Sequence, residues 1–326
     1  MKQISSFFLK KLISTSNQRI IIPFYHKVSD ERNTFSDHLY SPRKVLDFNN
    51  DLAVLCKFYT PISMTEFIDV SLLKEKSKQN YFHLTFDDGL SNFYKVVAPI
   101  LLKNKIPATV FINSDFVDNK ALFYRYKASL LFQVYEKSPQ KEKRKFHEFF
   151  NQKKEIKEKL FKINYNNKED LDRLANLVNY NFEEYLEIKK PYLTTTQIQE
   201  LIDMGFTIGA HSKSHPLYAD ISFQEQIDQT KECADWLEKK FNLDYRVFSF
   251  PFTDLNVSKE FFLKLARERV LDVSFGSAGI KNDAFKTNFH RLFFEIGDEN
   301  AKSYLIKEYV KYFLKAPFNK NTMPRN

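Results

Sequence analysis

Short apolar runs and amphipathic stretches take turns along this chain, and that alternation restricts its fold more than any other feature. Residues 19–26, Arg-Ile-Ile-Ile-Pro-Phe-Tyr-His, form a β-branched apolar run of the kind that makes a buried strand. Between 43 and 58, Val45, Leu46, Phe48, Leu52, Leu55 and Phe58 follow a helical period. Tyr81 to Phe86 predicts a second strand and 91–103 a helix that ends near Ile106-Pro107. Residues 108–112, Ala-Thr-Val-Phe-Ile, predict the next buried strand. Strand, helix and strand in succession imply parallel βα units.

From about 121 to 190 the rhythm stops. That segment has no glycine and is rich in Lys, Glu, Asn and aromatic residues, so it reads as a helical insertion with a solvated Lys/Glu face. The βα pattern then resumes. A helix over 195–204 is N-capped by Thr194 or Thr195 and ended by Gly205, and residues 206–210 form a strand leading into His211. A long helix follows over 223–241, a strand over 245–250, a loop opened by Pro251 and a helix over 258–269. Residues 271–275 and 290–295 are the expected last strands. The polar terminus, 319–326, is expected to be loose. The organisation is one domain: a core of about 18–120 and 193–298, an insertion of about 121–192 and a polar tail of about 316–326, with no internal repeat.

Composition narrows the function. There are 50 basic and 41 acidic residues, a net charge of +9, which suits nucleic acid, anionic lipid or anionic sugar. No nucleic-acid motif is present, and six glycines leave no Gly-rich phosphate loop. Cys56 and Cys233 form no disulfide framework and read as core thiols in a reduced compartment. The N-terminal run is broken by Lys10 and Lys11 and lacks a small-residue cleavage site, so it does not read as a signal peptide, and no stretch reads as apolar enough to span a bilayer. The expected location is cytoplasmic. Phe7, Phe8, Leu12 and Ile13 beside Lys2, Lys10 and Lys11 describe a short amphipathic helix, which either packs on the domain or touches an anionic membrane face.

Two of the expected strands end in reactive groups. Thr85-Phe86-Asp87-Asp88-Gly89 closes one, and His211-Ser212-Lys213-Ser214-His215 follows another. In parallel βα folds, residues at the C-terminal ends of strands gather around one cavity. Gly89 permits a sharp turn, so both carboxylates can serve one site. Histidines four apart on a helical turn share a face and can grip one cation. Read separately, each motif is equally well a simple turn. Together they supply a carboxylate and two imidazoles for one metal ion, with a second carboxylate left over as a base, which is the equipment for hydrolysing an amide or ester.

The order of these motifs, followed by Phe248-Ser249-Phe250-Pro251-Phe252, resembles the polysaccharide deacetylases, carbohydrate esterase family 4. Ile22-Pro23-Phe24-Tyr25-His26-Lys27-Val28 is similar to the opening strand of the subgroup acting on exopolysaccharide amino sugars. Residues 98–111 resemble the family's helix-to-strand passage after its first motif. The resemblance covers roughly 18–120 and 193–296 and leaves the insertion unexplained. It implies an α/β fold, a distorted (β/α) barrel of the polysaccharide deacetylase type with a helical insertion. It further implies Asp87 as general base, with Asp88, His211 and His215 as ligands of a divalent metal ion, zinc first and cobalt, nickel or manganese as alternatives. A backbone N–H near Phe252 is the implied oxyanion donor.

The chain departs from the family pattern in two places. Many members carry arginine, proline, tyrosine and glycine in the third motif. Here Phe248 to Asp254 holds no arginine, has Phe252 for the tyrosine and Thr253 for the glycine. Arg246 and Arg291 are the candidates to orient Asp87 in its place. The late Leu-x-His that supplies a general acid is also missing, although His290-Arg291-Leu292 lies near its expected place. His26, at the end of the first strand, is preferred over His290 as the acid. Phe250 and Arg291 are the candidate substrate contacts, with Phe252 and Tyr218 as further rings that stack on a sugar. His38, His83 and His147 have no assigned role.

The expected activity is therefore removal of an N-acetyl group from an amino sugar in a surface polysaccharide or in its lipid- or nucleotide-linked precursor. Sugar deformylation and O-deacetylation use the same machinery. A catalytically weak glycan-binding or assembly protein on the same scaffold is the alternative from another class. No nucleic acid partner is expected, and the oligomeric state is not legible.

Overall fold

The computed structural model describes residues 2–16, 18–31, 35–73, 79–152 and 154–325. Met1 and Asn326, the outer ends of the expected N-terminal helix and C-terminal tail, lie outside the described residues.

The architecture is a nearly closed parallel β-barrel wrapped in helices. Its strands are β1 (Pro23–Tyr25), β2 (Leu84–Phe86), β3 (Ala108–Ile112), β4 (Thr207–Ala210), β5 (Val247–Ser249), β6 (Val273–Gly276), β7 (Asn288–His290) and β8 (Leu292–Phe293). Every pairing in this sheet is parallel, and neighbours run from β7 through β6, β5, β4, β3, β2 and β1 to β8. The two edges of the sheet, β7 and β8, are successive pieces of one stretch of chain separated by Arg291 alone. That stretch pairs with β6 on one side and with β1 on the other, and so draws the sheet round on itself.

The strands alternate as a barrel requires. In β2, Leu84 and Phe86 pack outward beneath the helices while Thr85 points inward. In β3, Ala108, Val110 and Ile112 join the outer core and Phe111 fills the interior. Ile22, Phe111, Val247, Val273 and Phe275 form the inner core, and Ile62, Met64 and Phe67 join it beyond the strands. Below the barrel, Ile20–Ile21, Tyr81–Phe82 and Thr60–Pro61 make a small parallel sheet. The long runs expected over 19–26 and 81–86 are thus each divided, with Ile22 and His83 as the breaks. His83 is buried there, bonded to the Ile62 carbonyl and the Thr109 hydroxyl.

Helices α1 (Lys2–Ser16), α2 (Val45–Phe58), α3 (Met64–Leu73) and α4 (Ala98–Asn104) precede the insertion. The helix expected over 91–103 opens with a π-helical turn at Phe93–Val97 before α4 begins. The insertion supplies α5 (Tyr124–Lys137), α6 (Gln140–Phe149), α7 (Ile156–Lys162), α8 (Glu169–Leu177) and α9 (Phe182–Lys189). These helices are more than a solvated cap. Leu130, Leu131, Phe146, Leu160, Leu171 and Leu174 form a second hydrophobic cluster that also takes in Phe35 and Leu90 from loops of the barrel.

α10 (Thr195–Asp203), α11 (Phe223–Phe241), α12 (Lys259–Arg267) and α13 (Ala301–Lys315) complete the outer layer. Thr194 caps α10 by a reciprocal box with Gln197. Cys233 is buried on α11, but Cys56 is exposed: the phase of α2 that buries Leu52 and Leu55 turns it to solvent, so it is not a core thiol. The tail is not loose either. Thr322–Met323 pairs in parallel with Asn282–Asp283, and Arg325 is buried against Asp254 and Asp283.

Candidate metal centre and active site

The site sits where β1, β2, β4 and β7 end. The Asp87 amide continues the β-ladder to the Tyr25 carbonyl at 2.9 Å. Asp88 and Gly89 then adopt left-handed conformations, with φ of 69° and 60°. Gly89 is required twice over, because a Cβ there would also lie 2.8 Å from the Ile112 side chain. The turn sends the two carboxylates into different surroundings.

Asp87 meets Arg291. The guanidinium grips both carboxylate oxygens at 2.7 Å and adds a bond to the Thr85 hydroxyl at 3.2 Å. It is sandwiched by the Phe24 and Phe111 rings, whose centroids lie 4.4 and 5.5 Å away. Burial would raise the pKa of Asp87, but Arg291 outweighs it and holds the carboxyl below its ordinary range. Arg291 is 1% exposed, so it is no substrate contact; its donors are spent inside the barrel. Arg246 lies elsewhere, paired with Asp235 and Glu238.

Asp88 meets the histidines. Its Oδ1 lies 3.2 Å from His215 Nε2 and 3.6 Å from His211 Nε2. His211 Nδ1 donates to the Ser249 carbonyl at 2.8 Å, which leaves its Nε2 with the lone pair. Burial lowers the His211 ring to about 4, so it is neutral. The same burial would raise Asp88, yet His215, His26 and His211 pull it well below the usual carboxylate range. Asp88 Oδ1 is buried and accepts no hydrogen bond among the described residues. Three acceptor atoms thus converge within 4.8 Å of one another, and a divalent cation fits this donor set.

The loop that carries the histidines is not the helical turn expected from their spacing. Residues 211–217 are irregular, with Ser212 and His215 in left-handed conformations at φ of 64° and 61°. The Ser212 hydroxyl accepts from the His215 amide, and Asn113 donates to the His211 carbonyl. These bonds bring the two rings to 4.8 Å by a looped path.

Across the site stands His26. Its Nδ1 bonds Glu295 Oε2 at 2.8 Å, while Glu295 Oε1 accepts from the His26 and Lys27 amides at 3.0 and 2.6 Å. Burial would depress the ring, but Glu295, helped by Asp88 and Asp87, holds it up at about 9. It is therefore a cation near neutral pH. Glu295 has no role in the sequence reading, although it is the final residue of the last expected strand, a position close to that of Asp87 at the end of an earlier one.

The insertion also reaches the site, which nothing in the sequence signalled beyond the cluster Tyr124-Arg125-Tyr126. From α5, the Tyr126 hydroxyl donates to Asp88 Oδ2 and meets the Tyr40 hydroxyl at 2.9 Å. Tyr40 stacks on His26 at 4.7 Å. Phe123 packs on the His215 ring at 4.2 Å, and Tyr165 bonds Ser214 at 2.8 Å.

The remaining candidates divide. Phe252 has φ of 58°, is 40% exposed and sets its ring 4.8 Å from His215. Phe250 and Tyr218 do not line the cleft. Both are buried, packed on each other and on Phe248 and Phe261 beneath α11 and α12, because that face of β5 points away from the barrel interior. His290 also points outward, to a second acidic group of Asp254 and Asp283. There the Arg325 guanidinium already supplies the cation.

A barrel of this kind with an Asp-His-His centre defines a metal-dependent hydrolase. The polysaccharide deacetylase family model matches residues 74–268, so the chain belongs to the polysaccharide deacetylase family. No curated protein matches the chain by sequence. Among solved structures, the Streptococcus pyogenes deacetylase PplD in complex with acetate superposes with a TM-score of 0.58 at 15% identity, covering 89% of this chain and 97% of that one. IcaB from Ammonifex degensii gives 0.56 at 14% identity, covering 90% and 97%. A de-N-acetylase from Aggregatibacter actinomycetemcomitans gives 0.53 at 15% identity, covering 88% and 99%. At these identities the likeness is one of fold.

Proposed function

We propose that this chain removes the N-acetyl group from an amino sugar in a surface polysaccharide or in its lipid-linked precursor. The observation that carries the reading is the pairing of one clamped carboxylate, Asp87, with one converging triad, Asp88, His211 and His215. Two imidazoles and one carboxylate suit zinc best, with cobalt, nickel or manganese as rivals. Bound there, such a cation polarises the acetyl carbonyl and acidifies a water.

The side chains divide the rest of the work. Asp87 is the general base: Arg291 keeps it ionised and aimed, and a weak base suffices for an acidified water. His26, charged by its bond to Glu295, is the general acid that returns a proton to the leaving nitrogen. The Phe252 N–H is the oxyanion donor in this reading, which is supported by the Phe252 ring lying 4.8 Å from His215. Water adds its oxygen to the acetyl carbon, the C–N bond breaks, and acetate and a free amine leave.

Both grounds for a catalytically idle scaffold fall away. Arg291 stands in for the arginine absent from the third motif, and His26 with Glu295 offers an acid in place of the missing late histidine. Residues 124–189 serve as a cap on the same domain, because their aromatic side chains complete the site.

The test is metal content measured together with acetate release on N-acetylated oligosaccharides and lipid-linked sugars. Wild type is expected to hold one metal and turn over. Asp87→Asn is expected to keep the metal and lose activity by about three orders of magnitude or more, and His211→Ala to lose the metal. Wild type that binds no metal would sink the proposal.

A further inference from the structure

The face shared by α1 and α13 carries chemistry that the reaction does not use. Both helices bury one side in the barrel's outer core, through Leu9 and Ile13 on α1 and through Leu305 and Tyr309 on α13. Each also carries exposed apolar side chains among its outward lysines. Phe7 is 74% exposed, Phe8 44% and Leu314 68%, and Phe318, one turn beyond, is 71% exposed. Between the helices runs a groove lined by Phe7, Phe8 and Leu12 on one wall and Val310, Phe313 and Leu314 on the other. Folding leaves these apolar side chains in water, which is costly unless something else covers them.

Its charge says what covers it. Lys10, Lys11, Lys315 and Lys320 are exposed and form no ion pair among the described residues. α1 contains no acidic residue. The only acid on α13, Glu308, is paired with Lys311 at 2.6 Å. Exposed aromatic and leucine side chains flanked by unpaired lysines on two adjoining helices match the boundary between acyl chains and anionic headgroups. Surfaces that bind proteins are instead depleted in lysine.

We infer that the α1–α13 face docks the protein on an anionic phospholipid bilayer. Phe7, Phe8, Leu314 and Phe318 enter the interface, and the lysines hold the headgroups. α13 starts behind the catalytic rim, just after β8, and its second half meets Gln18, which leads into the lower end of the barrel. Docking therefore leaves the mouth of the site open to solvent. The inference does not depend on the reaction.

The experiment is co-sedimentation of the full chain with vesicles of phosphatidylcholine alone and of phosphatidylcholine mixed with phosphatidylglycerol. Wild type and Asp87→Asn are expected to bind the anionic vesicles equally, and about ten-fold less to the neutral ones or in high salt. Replacing Phe7→Ser and Leu314→Ser together is expected to weaken binding by about ten-fold or more, with an unchanged melting temperature because both side chains are exposed. Equal binding to both vesicle types, or binding untouched by the double variant, overturns the inference. So does a dimer in light scattering that the double variant dissolves while wild type ignores vesicles; the face then belongs to a second copy.

Discussion

Asp87 and Asp88 are neighbours that acquire opposite jobs from their surroundings. One is saturated by a guanidinium and stays a fixed anion; the other keeps an oxygen free of donors and waits for a cation. His26 is tuned in a third way, since Glu295 outweighs a burial that would otherwise discharge it. A raised imidazole is charged below its folded value and loses the proton as pH rises through it. The kcat/KM profile should therefore show an alkaline limb at or below about 9, the bound cation pulling it down from that value. In Glu295→Gln only Asp88 and Asp87 are left to oppose burial, so the limb should move to the acid side of its wild-type position, and His26→Ala should cost roughly 10²–10⁴-fold in rate. A limb unmoved by Glu295→Gln would remove His26 from the proton path. At this scale much was legible: Asp87, Asp88, His211 and His215 announce themselves by type and by position at strand ends. The partner that fixes a residue's protonation is distant in sequence, as Glu295 is from His26, and local pattern is blind to it.

Elements placed those residues by means that spacing did not reveal. The histidine loop is irregular because Ser212 and Asn113 satisfy its backbone, so four-residue spacing pointed to the right pair through the wrong geometry. The sequence of the insertion reads as helices with a solvated Lys/Glu face, but α5 lays Tyr126 on Asp88. A donor on the second oxygen of a ligand carboxylate fixes its orientation toward the cation. Tyr126→Phe should therefore weaken metal affinity by about ten-fold, measured by competition with a chelator, with Asp87 chemistry otherwise intact. A loss of rate with unaltered affinity would place Tyr126 in substrate binding instead. The polar terminus misled for a related reason: composition predicts solvation, whereas Arg325 finds Asp254 and Asp283 in a buried cluster that only the folded barrel assembles.

For the whole molecule, closure is the decisive event. The stretch 288–293 pairs with β6 and β1 at once, and the break between its halves turns Arg291 inward to Asp87. A cation bound only by the closed form should stabilise it by about 4 kcal/mol at a thousand-fold excess over its dissociation constant. Stripping the metal should then lower the melting temperature by several degrees in wild type and leave His211→Ala unmoved, as calorimetry would show. An equal shift in both would put the cation elsewhere. The βα order, the interior-to-exterior alternation and the metal-binding residue types were determined by the sequence alone, because strand and helix periods and side-chain chemistry are local properties. The clamp of Arg291, the charge on His26, the burial of Phe250 and the reach of Tyr126 into the site were decided by tertiary structure. Each depends on a contact between residues far apart in the chain, which exists only once the barrel has closed.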